Sequence, residues 1–334
     1  MMITKIHGNK YNTMKQILLN ARLIGAAIIA IGLNACSSDD SISDPTVNPV
    51  KKTYTISIKA SKSNDTAGSR ATRALGFDEY DELSAWWETT DKIYVRKQTG
   101  TGFDDLGFSD VLGYLQPTGE PDEYGVVTLS GTLTTEELEE DDILQFVYPT
   151  VNMDYTNQDG TLETIAKDCD YADGLAVVSS VNGDAIEVSA HSLDGIVNFE
   201  NKQAIVKFIL QDENGDDISA ESFTIDLHDN ALSPSLATNH LLLQRMDEDN
   251  VTHEGAITVN LTTPSNEIFV ALNQTTRVEQ TLCTLTAVTE DGEYVYSKVI
   301  NTKETIDEVT YPLNMFNEGQ YYVITVKMKL PETD

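Results

Sequence analysis

The sequence predicts an all-β protein made of two tandem β-sandwich domains with one short helix. Along most of the 334 residues, short stretches rich in Val, Ile, Thr and Tyr alternate apolar and polar positions. Strong turn signals separate these stretches, and no repeat with a period of about 20–50 residues stands out. Many short strands joined by such turns are typical of sandwiches and related closed sheets.

The first clear strand covers residues 54–60. Tyr54, Ile56, Ile58 and Ala60 share one face and the residues between them are polar, which predicts a half-buried strand. The further candidate strands are 92–97, 125–130, 143–148, 175–181, 185–190, 195–199, 203–211, 222–228, 256–261, 267–272, 281–288, 293–300 and 321–330. The short helix is predicted near 161–169.

Three dipeptides predict hairpin turns: Asn182-Gly183, Asn214-Gly215 and Asp291-Gly292. Both residues of such a turn are expected to adopt positive φ, which Asn, Asp and Gly tolerate. Loops cluster before residue 200 and a strong strand pair follows it. We therefore predict an N-terminal sandwich over 74–199 and a C-terminal sandwich over 200–334.

The N-terminus predicts a lipoprotein signal peptide over residues 1–35. Four basic residues (Lys5, Lys10, Lys15 and Arg22) precede an apolar run, Leu23 to Leu33, that is too short to span a bilayer. The run leads into Leu33-Asn34-Ala35-Cys36, which resembles a bacterial lipobox and makes Cys36 the lipidated first residue. An ordinary signal peptide ending near a cysteine is the alternative. Residues 36–73 then hold a polar tether, the first strand and a loop.

Charge excludes nucleic acid as a partner. The chain has 54 acidic and 22 basic residues, and removal of the leader takes away four basic residues and no acidic one. The mature charge is therefore 18 − 54 = −36. A nucleic-acid binder needs a basic face, and no stretch of the sequence supplies one.

No enzymatic motif appears in the sequence, and we predict no catalytic residue, no metal site and no cofactor. Gly-x-Ser-x-Gly, phosphate-loop and His-Glu-x-x-His patterns are missing. The mature histidines His191, His228, His240 and His253 are expected to be surface or boundary residues. The acidic stretch 154–160 has the residue types of a calcium-binding loop, but it does not follow the EF-hand pattern. A glycosidase with paired carboxylates is the hardest enzyme to exclude, because its two residues need no local motif.

The aromatic and cysteine residues leave alternatives open. Trp86 and Trp87 are neighbours, so on a strand one would face the core and the other could stack on a sugar. Cys169 and Cys283 both fit apolar faces, which favours buried free thiols over a disulfide that the compartment would permit.

One arrangement points towards function. The strand 54–60 is followed by a small, polar, basic segment, 61–73, whose composition predicts a flexible exposed loop carrying Arg70 and Arg73. At the other end of the chain an alternating strand ends close to the last residue. Its apolar positions are Tyr322, Ile324, Val326, Met328 and Leu330.

Several strings resemble the fimbrillin family, the type V pilins of Bacteroides-type bacteria, and occur in that family's order. They are YTISI (54–58) before ATRAL (71–75), WETTDKIYV (87–95), SGTLT (130–134), YP (148–149), QDGTL (158–162) and the stretch 199–210. Together they cover nearly the whole mature chain.

The resemblance implies a fold, a location and a mechanism. The two sandwiches would be of transthyretin-like, Greek-key type, and the chain would be an outer-membrane, palmitate-bearing lipoprotein at the cell surface. An arginine-specific protease would cut after Arg70 or Arg73 and release the displaced strand Tyr54, Ile56, Ile58 and Ala60. A donor strand from residues 321–330 of another pilin subunit would fill the groove, so that repetition builds a fimbrium for cell adhesion to host or bacterial surface ligands.

The sequence leaves two alternative roles open. The sequence ends four residues after Leu330, whereas stalk subunits of the family often carry extra strand-forming residues there, so a tip or minor subunit is also consistent. A surface lipoprotein that binds glycans is the second function class. It predicts exposed aromatic platforms and no proteolytic maturation.

Overall fold

The structure is a computed structural model. It describes residues 2–5, 50–62, 76–77, 83–84, 87–99, 107–190, 192, 194–229, 239–246, 251–275, 277–306 and 309–330. Cys36, Arg70, Arg73 and Trp86 lie outside these residues.

The strands of the first half of the chain, in chain order, are β1 (Met2–Lys5), β2 (Lys52–Lys62), β3 (Gly76–Phe77), β4 (Leu83–Ser84), β5 (Ile93–Lys97), β6 (Gly113–Pro117), β7 (Val126–Thr135), β8 (Ile143–Tyr148), β9 (Ala172–Asn182), β10 (Ala185–Ala190) and β11 (Ile196–Asn201). The helix α1 (Leu162–Asp168) lies between β8 and β9.

The strands of the second half are β12 (Gln203–Gln211), β13 (Ala220–Asp229), β14 (Leu243–Met246), β15 (Thr252–Glu254), β16 (Ile257–Ser265), β17 (Glu267–Asn273), β18 (Gln280–Thr289), β19 (Gly292–Asn301), β20 (Lys303–Ile306), β21 (Val309–Pro312) and β22 (Tyr321–Lys327). The prediction of an all-β chain with one short helix is therefore confirmed over the described residues.

The first half of the chain forms an eight-stranded sheet that closes on itself. Its order is β10-β2-β11-β9-β8-β5-β6-β7, and the additional pairing of β2 with β7 closes the sheet. The inward side chains form one core, including Leu129, Phe146 and Phe199. This architecture differs from the predicted sandwich, because a single continuous sheet curls around the core instead of two sheets facing each other.

The second half of the chain has the sandwich arrangement. One sheet has the order β1-β22-β12-β17 and the other has the order β16-β13-β18-β19. Side chains of both sheets, such as Phe208 and Phe223, share one core. Tyr155, Ile165 and Cys169 also belong to this core, so the chain enters it before residue 200.

The three predicted hairpin turns occur, but with different backbone conformations from those expected. Gly183, Gly215 and Gly292 have φ of 63°, 97° and 142°, whereas Asp141 is the one non-glycine residue with positive φ among the described residues. Asn182 pairs with Ala185 across the first turn, and Thr289 pairs with Gly292 across the third, so these residues already belong to the strands. In the first and third turns the two-residue loop is shifted relative to the predicted dipeptide, whereas the turn around Gly215 is longer and is closed by the pairing of Gln211 with Asp217. In all three turns the glycine takes the positive φ.

The helix α1 has a clear local cause. Thr161 caps it by accepting a hydrogen bond from the Thr164 amide at 3.2 Å, and Ile165 is its buried residue. No helix among the described residues has both the length and the apolar character needed to cross a membrane.

Candidate functional site

The strand β2 occupies a central position in the closed sheet. It pairs antiparallel with β7 from Lys52↔Thr135 to Ser61↔Val126. On its other side it pairs in parallel with β10 at residues 55–56 and with β11 at residues 59–62. Removal of β2 would therefore expose edges on three strands and open the closed sheet.

One face of β2 is fully embedded in the core. Tyr54, Ile56, Ile58 and Ala60 are between 0% and 5% exposed, as the alternation of the sequence predicts. The Tyr54 hydroxyl accepts a hydrogen bond from the Leu138 amide at 3.3 Å. The groove under β2 is thus apolar with one polar anchor near its start.

The other face of β2 forms an exposed ladder of small polar side chains. Ser57 and Ser130 hydroxyls lie 2.8 Å apart, and the Ser61 hydroxyl donates to Asn198 Oδ1 at 2.7 Å. Such cross-strand pairs hold the register of the strand without burying apolar surface.

The inward face of β2 ends in a buried lysine, Lys62, which lies within the segment 61–73 whose composition predicts an exposed loop. The Lys62 side chain is 1% exposed, and its Nζ lies 3.4 Å from Asp170 Oδ2 and 3.7 Å from Asp91 Oδ2. The two carboxylates are themselves buried, with side-chain exposures of 7% for Asp91 and 2% for Asp170. A buried cation between two buried carboxylates fits the rule that charges inside proteins are paired.

Aromatic rings form the walls around this ammonium group. Lys62 Nζ lies 3.5 Å from the ring centroid of Tyr148 and 4.8 Å from that of Trp87. Trp87 packs edge-on against Phe199 at 4.9 Å. Burial, the charges of Asp91 and Asp170 and a hydrogen bond to Asp91 raise the pKa of the Tyr148 hydroxyl far above its usual value, so this group stays neutral. We call Asp91, Asp170, Tyr148 and Trp87 the lysine socket.

Groups outside β2 hold the two carboxylates of the socket. Asp91 Oδ2 accepts a hydrogen bond from the Glu88 amide at 2.8 Å, and Asp170 Oδ1 accepts one from Gln203 Nε2 at 3.1 Å. Gln203 in turn accepts one from the Tyr171 amide at 3.0 Å. The negative side of the socket is therefore built independently of the strand that carries Lys62.

The predicted donor strand is built into the second core. β22 pairs in parallel with β12 from Tyr321↔Ile205 to Lys327↔Gln211. Tyr322, Ile324, Val326 and Met328 are all buried, and Leu330 is 48% exposed. Its other edge pairs with β1, which lies inside the predicted signal peptide.

Trp87 is a core residue and not a sugar platform. Its side chain is 3% exposed, and its indole Nε1 is buried with no hydrogen-bond partner among the described residues. The neighbouring Trp86 is outside the description. The aromatic signal for glycan binding is therefore not carried by Trp87.

A cluster that the sequence did not reveal joins two of the histidines. His228 Nε2 and His240 Nδ1 lie 2.9 Å and 3.1 Å from the two oxygens of Asp226. The two rings are tilted by 42° with centroids 4.3 Å apart. Two imidazoles and a carboxylate could hold a divalent metal ion such as zinc. A metal-binding histidine usually donates its second nitrogen to a neighbour, whereas His228 Nδ1 is buried without a partner among the described residues.

The acidic turns use their carboxylates locally. Asp159 Oδ1 accepts from the amide and hydroxyl of Thr161, and Asp212 Oδ1 accepts from the amides of residues 214–216. These carboxylates stabilise the turns that contain them, which explains their position without a calcium ion.

Comparisons with known proteins give distant likenesses. No family model matches the sequence, and no curated protein matches it significantly. Among solved structures, the tip fimbrial protein Mfa3 from Porphyromonas gingivalis, with a C-terminal truncation, is 11% identical. The likeness covers 85% of this chain and 97% of that one, with a TM-score of 0.36.

Two further solved structures are candidate cell adhesion proteins. The one from Bacteroides uniformis is 14% identical over 82% of this chain and 94% of its own, with a TM-score of 0.35. The one from Bacteroides ovatus is 12% identical over 76% and 91%, with a TM-score of 0.36. At these identities and TM-scores the likeness is distant and does not place the chain in a family.

Proposed function

We propose that this chain is a structural subunit of a cell-surface fimbrium that assembles by exchange of its first strand. In this proposal Cys36 carries the lipid that anchors the precursor in the outer membrane. The proposed modules cover residues 74–199 and 200–334, with β2 completing the core of the first and residues 155–171 contributing to the core of the second. The partners are other pilin subunits, an arginine-specific protease and ligands on host or bacterial surfaces.

The placement of β2 carries the proposal. β2 closes the sheet between β7 on one side and β10 and β11 on the other, so its loss would open the sheet. The segment 63–75, with Arg70 and Arg73, follows directly. Cleavage there would leave β2 attached by hydrogen bonds and packing only.

The energetics favour replacement of β2 over simple loss. Full burial of a large apolar side chain contributes about 1.5–3 kcal/mol, and β2 buries Tyr54, Ile56 and Ile58 in this way. Its departure would also leave strand edges without partners. An incoming strand restores both the packing and the main-chain hydrogen bonds.

Head-to-tail addition of this kind need not close into a ring, so it builds filaments. The strand 321–330 is the donor implied by the family resemblance. Its burial in the second core means that donation would withdraw Tyr322 and its neighbours from their own domain. We therefore propose that the chain receives a strand and acts as a tip or minor subunit.

The test is limited digestion with an arginine-specific protease of the mature chain from residue 37. The matched control carries Arg70→Lys and Arg73→Lys, which keep the charge but remove the cleavage site. We expect a cut after Arg70 or Arg73, seen by mass spectrometry, and displacement of the β2 fragment by an excess of a peptide with the sequence of residues 50–63.

The result of this digestion distinguishes a stalk subunit, a subunit that only receives a strand, and a glycan-binding protein. A cut product that also forms an SDS-stable ladder both receives and donates strands, which makes it a stalk subunit. A monomeric product that exchanges the peptide is a receiver only. Resistance of the segment to cleavage, or a cut product that keeps β2 and takes up no peptide, would overturn strand exchange and turn attention to glycan binding.

A further inference from the structure

The buried Lys62 defines what an exchanging strand must carry. The lysine is the fifth inward position of β2, after Tyr54, Ile56, Ile58 and Ala60. Its Nζ sits between Asp91 and Asp170 at 3.7 Å and 3.4 Å and over the Tyr148 ring at 3.5 Å. The strand therefore presents an apolar ladder that ends in one cation.

Loss of β2 removes the cation and leaves the carboxylates. Asp91 and Asp170 stay in place, because the Glu88 amide and Gln203 hold them from outside β2. A replacement strand that covers them again with an apolar side chain would bury two negative charges without a partner. Leaving one side of a buried ion pair uncompensated is among the most destabilising changes in proteins.

We propose that the lysine socket is a selectivity site that accepts exchanging strands with Lys or Arg at the fifth inward position. The proposal rests on strand exchange as the function, and it applies to a strand that enters in the same direction as β2. The aromatic walls of Tyr148 and Trp87 suit either cation, since both ammonium and guanidinium groups bind the faces of aromatic rings.

The socket discriminates against the chain's own C-terminal strand. Placed in the register of β2, Tyr322 and Ile324 repeat the first two inward residues, and Val326 takes the position of Ile58. The residues at the fourth and fifth inward positions do not match Ala60 and Lys62. Met328 would enter the site of Ala60, which is 0% exposed, and Leu330 would face Asp91 and Asp170 in place of the lysine. The preferred partner is therefore a different subunit with a small residue and then a cation at these positions.

The experiment measures peptide exchange into the full mature chain after cleavage at Arg70 or Arg73. A fluorescent peptide with the sequence of residues 50–63 is the probe, and unlabelled peptides compete with it in an anisotropy assay. The competitors are the native sequence, Lys62→Leu, Lys62→Arg and Lys59→Leu. Lys59→Leu is the matched control, because it makes the same chemical change on the exposed face of β2.

We expect the native, Lys62→Arg and Lys59→Leu peptides to compete within a few-fold of one another. The Lys62→Leu peptide should compete about a hundredfold more weakly or worse, because it leaves both buried carboxylates unpaired. In a host chain carrying Asp91→Asn and Asp170→Asn this penalty should disappear. A peptide of residues 321–331 should compete poorly and should gain most of the difference with Met328→Ala and Leu330→Lys.

Different results would overturn the selectivity of the lysine socket and strand exchange itself. Equal competition by the Lys62→Leu and Lys59→Leu peptides would overturn the selectivity of the socket and leave strand exchange standing. Failure of the native peptide to enter the cleaved chain would overturn strand exchange and the socket with it. A penalty for Lys62→Leu that persists unchanged in the Asp91→Asn and Asp170→Asn host would also overturn the socket, since the cost would then be one of shape.

Discussion

At the scale of single residues, Cys169 and Cys283 are buried free thiols in the second core. Burial is the main cause that raises the pKa of each thiol to about 12. At pH 8 only about one thiol in ten thousand is then ionised, and the thiolate is the reactive form.

We therefore expect a chain starting at Ser37 to resist alkylation by iodoacetamide at pH 8 while folded. In guanidinium without reductant, Cys169 and Cys283 should both react. Intact mass measurement before and after unfolding gives the number of alkylated cysteines in each state. A chain that stays unmodified after unfolding would hold a disulfide, and rapid labelling of the folded chain would contradict the burial.

Residue patterns predicted the inward face of β2 but not its end. The alternation from Tyr54 to Ala60 is local and can be read directly from the sequence. Lys62 continues the same face, yet a lysine at that position predicts solvent, because its partners Asp91 and Asp170 are brought to it only by the fold. The pairing of His228 and His240 on Asp226 was missed for the same reason.

At the scale of strands, β7 depends on a glycine. Gly131 pairs with Ile56 of β2 on one side and Leu115 of β6 on the other. A Cβ at this position would lie 2.1 Å from the Tyr114 carbonyl oxygen, which is backbone and cannot rotate away. The close approach gives a physical reason for glycine in the SGTLT string.

We expect Gly131→Ala to destabilise the chain by about 2–4 kcal/mol, because β6 and β7 must move apart against the packed core. Gly119→Ala is the control, since no atom lies within 4 Å of the Cβ that it adds. Urea unfolding of both variants and the parent measures the difference. A midpoint for Gly131→Ala equal to that of Gly119→Ala would show that the strands tolerate the side chain.

Element prediction succeeded where the pattern is long and failed where it is short. β13 and β18 each carry a sustained alternation, β12 carries a nearly continuous apolar run, and all three were found. β6 was missed, because its five residues begin with glycine and end with proline, both unusual inside strands. The closure of the first sheet by β2 and β7 could not be predicted, since no local signal specifies a pairing between strands so far apart in sequence.

At the scale of the whole molecule, β2 and β22 differ in how they are connected to the rest of the chain. β2 precedes Arg70 and Arg73, so one cut separates it covalently from the body. β22 instead pairs with β12 and contributes its side chains to the second core, and its other edge pairs with β1, which belongs to the predicted leader. The same alternating pattern thus occurs in the strand that we propose is removed and in a strand whose side chains belong to the second core.

This difference gives a prediction that decides between donor and resident roles for β22. A chain ending at Gln320 loses four buried side chains, Tyr322, Ile324, Val326 and Met328. At about 1.5–3 kcal/mol each, their loss is comparable with the entire stability of a typical domain. We expect this truncation to abolish the cooperative unfolding of the second core, seen as lost near-ultraviolet circular dichroism, whereas a chain ending at Leu330 should behave as the parent. If the chain ending at Gln320 instead unfolds cooperatively near the parent's midpoint, the second core does not need β22. Residues 321–330 would then be available for donation, and the subunit would belong in the stalk.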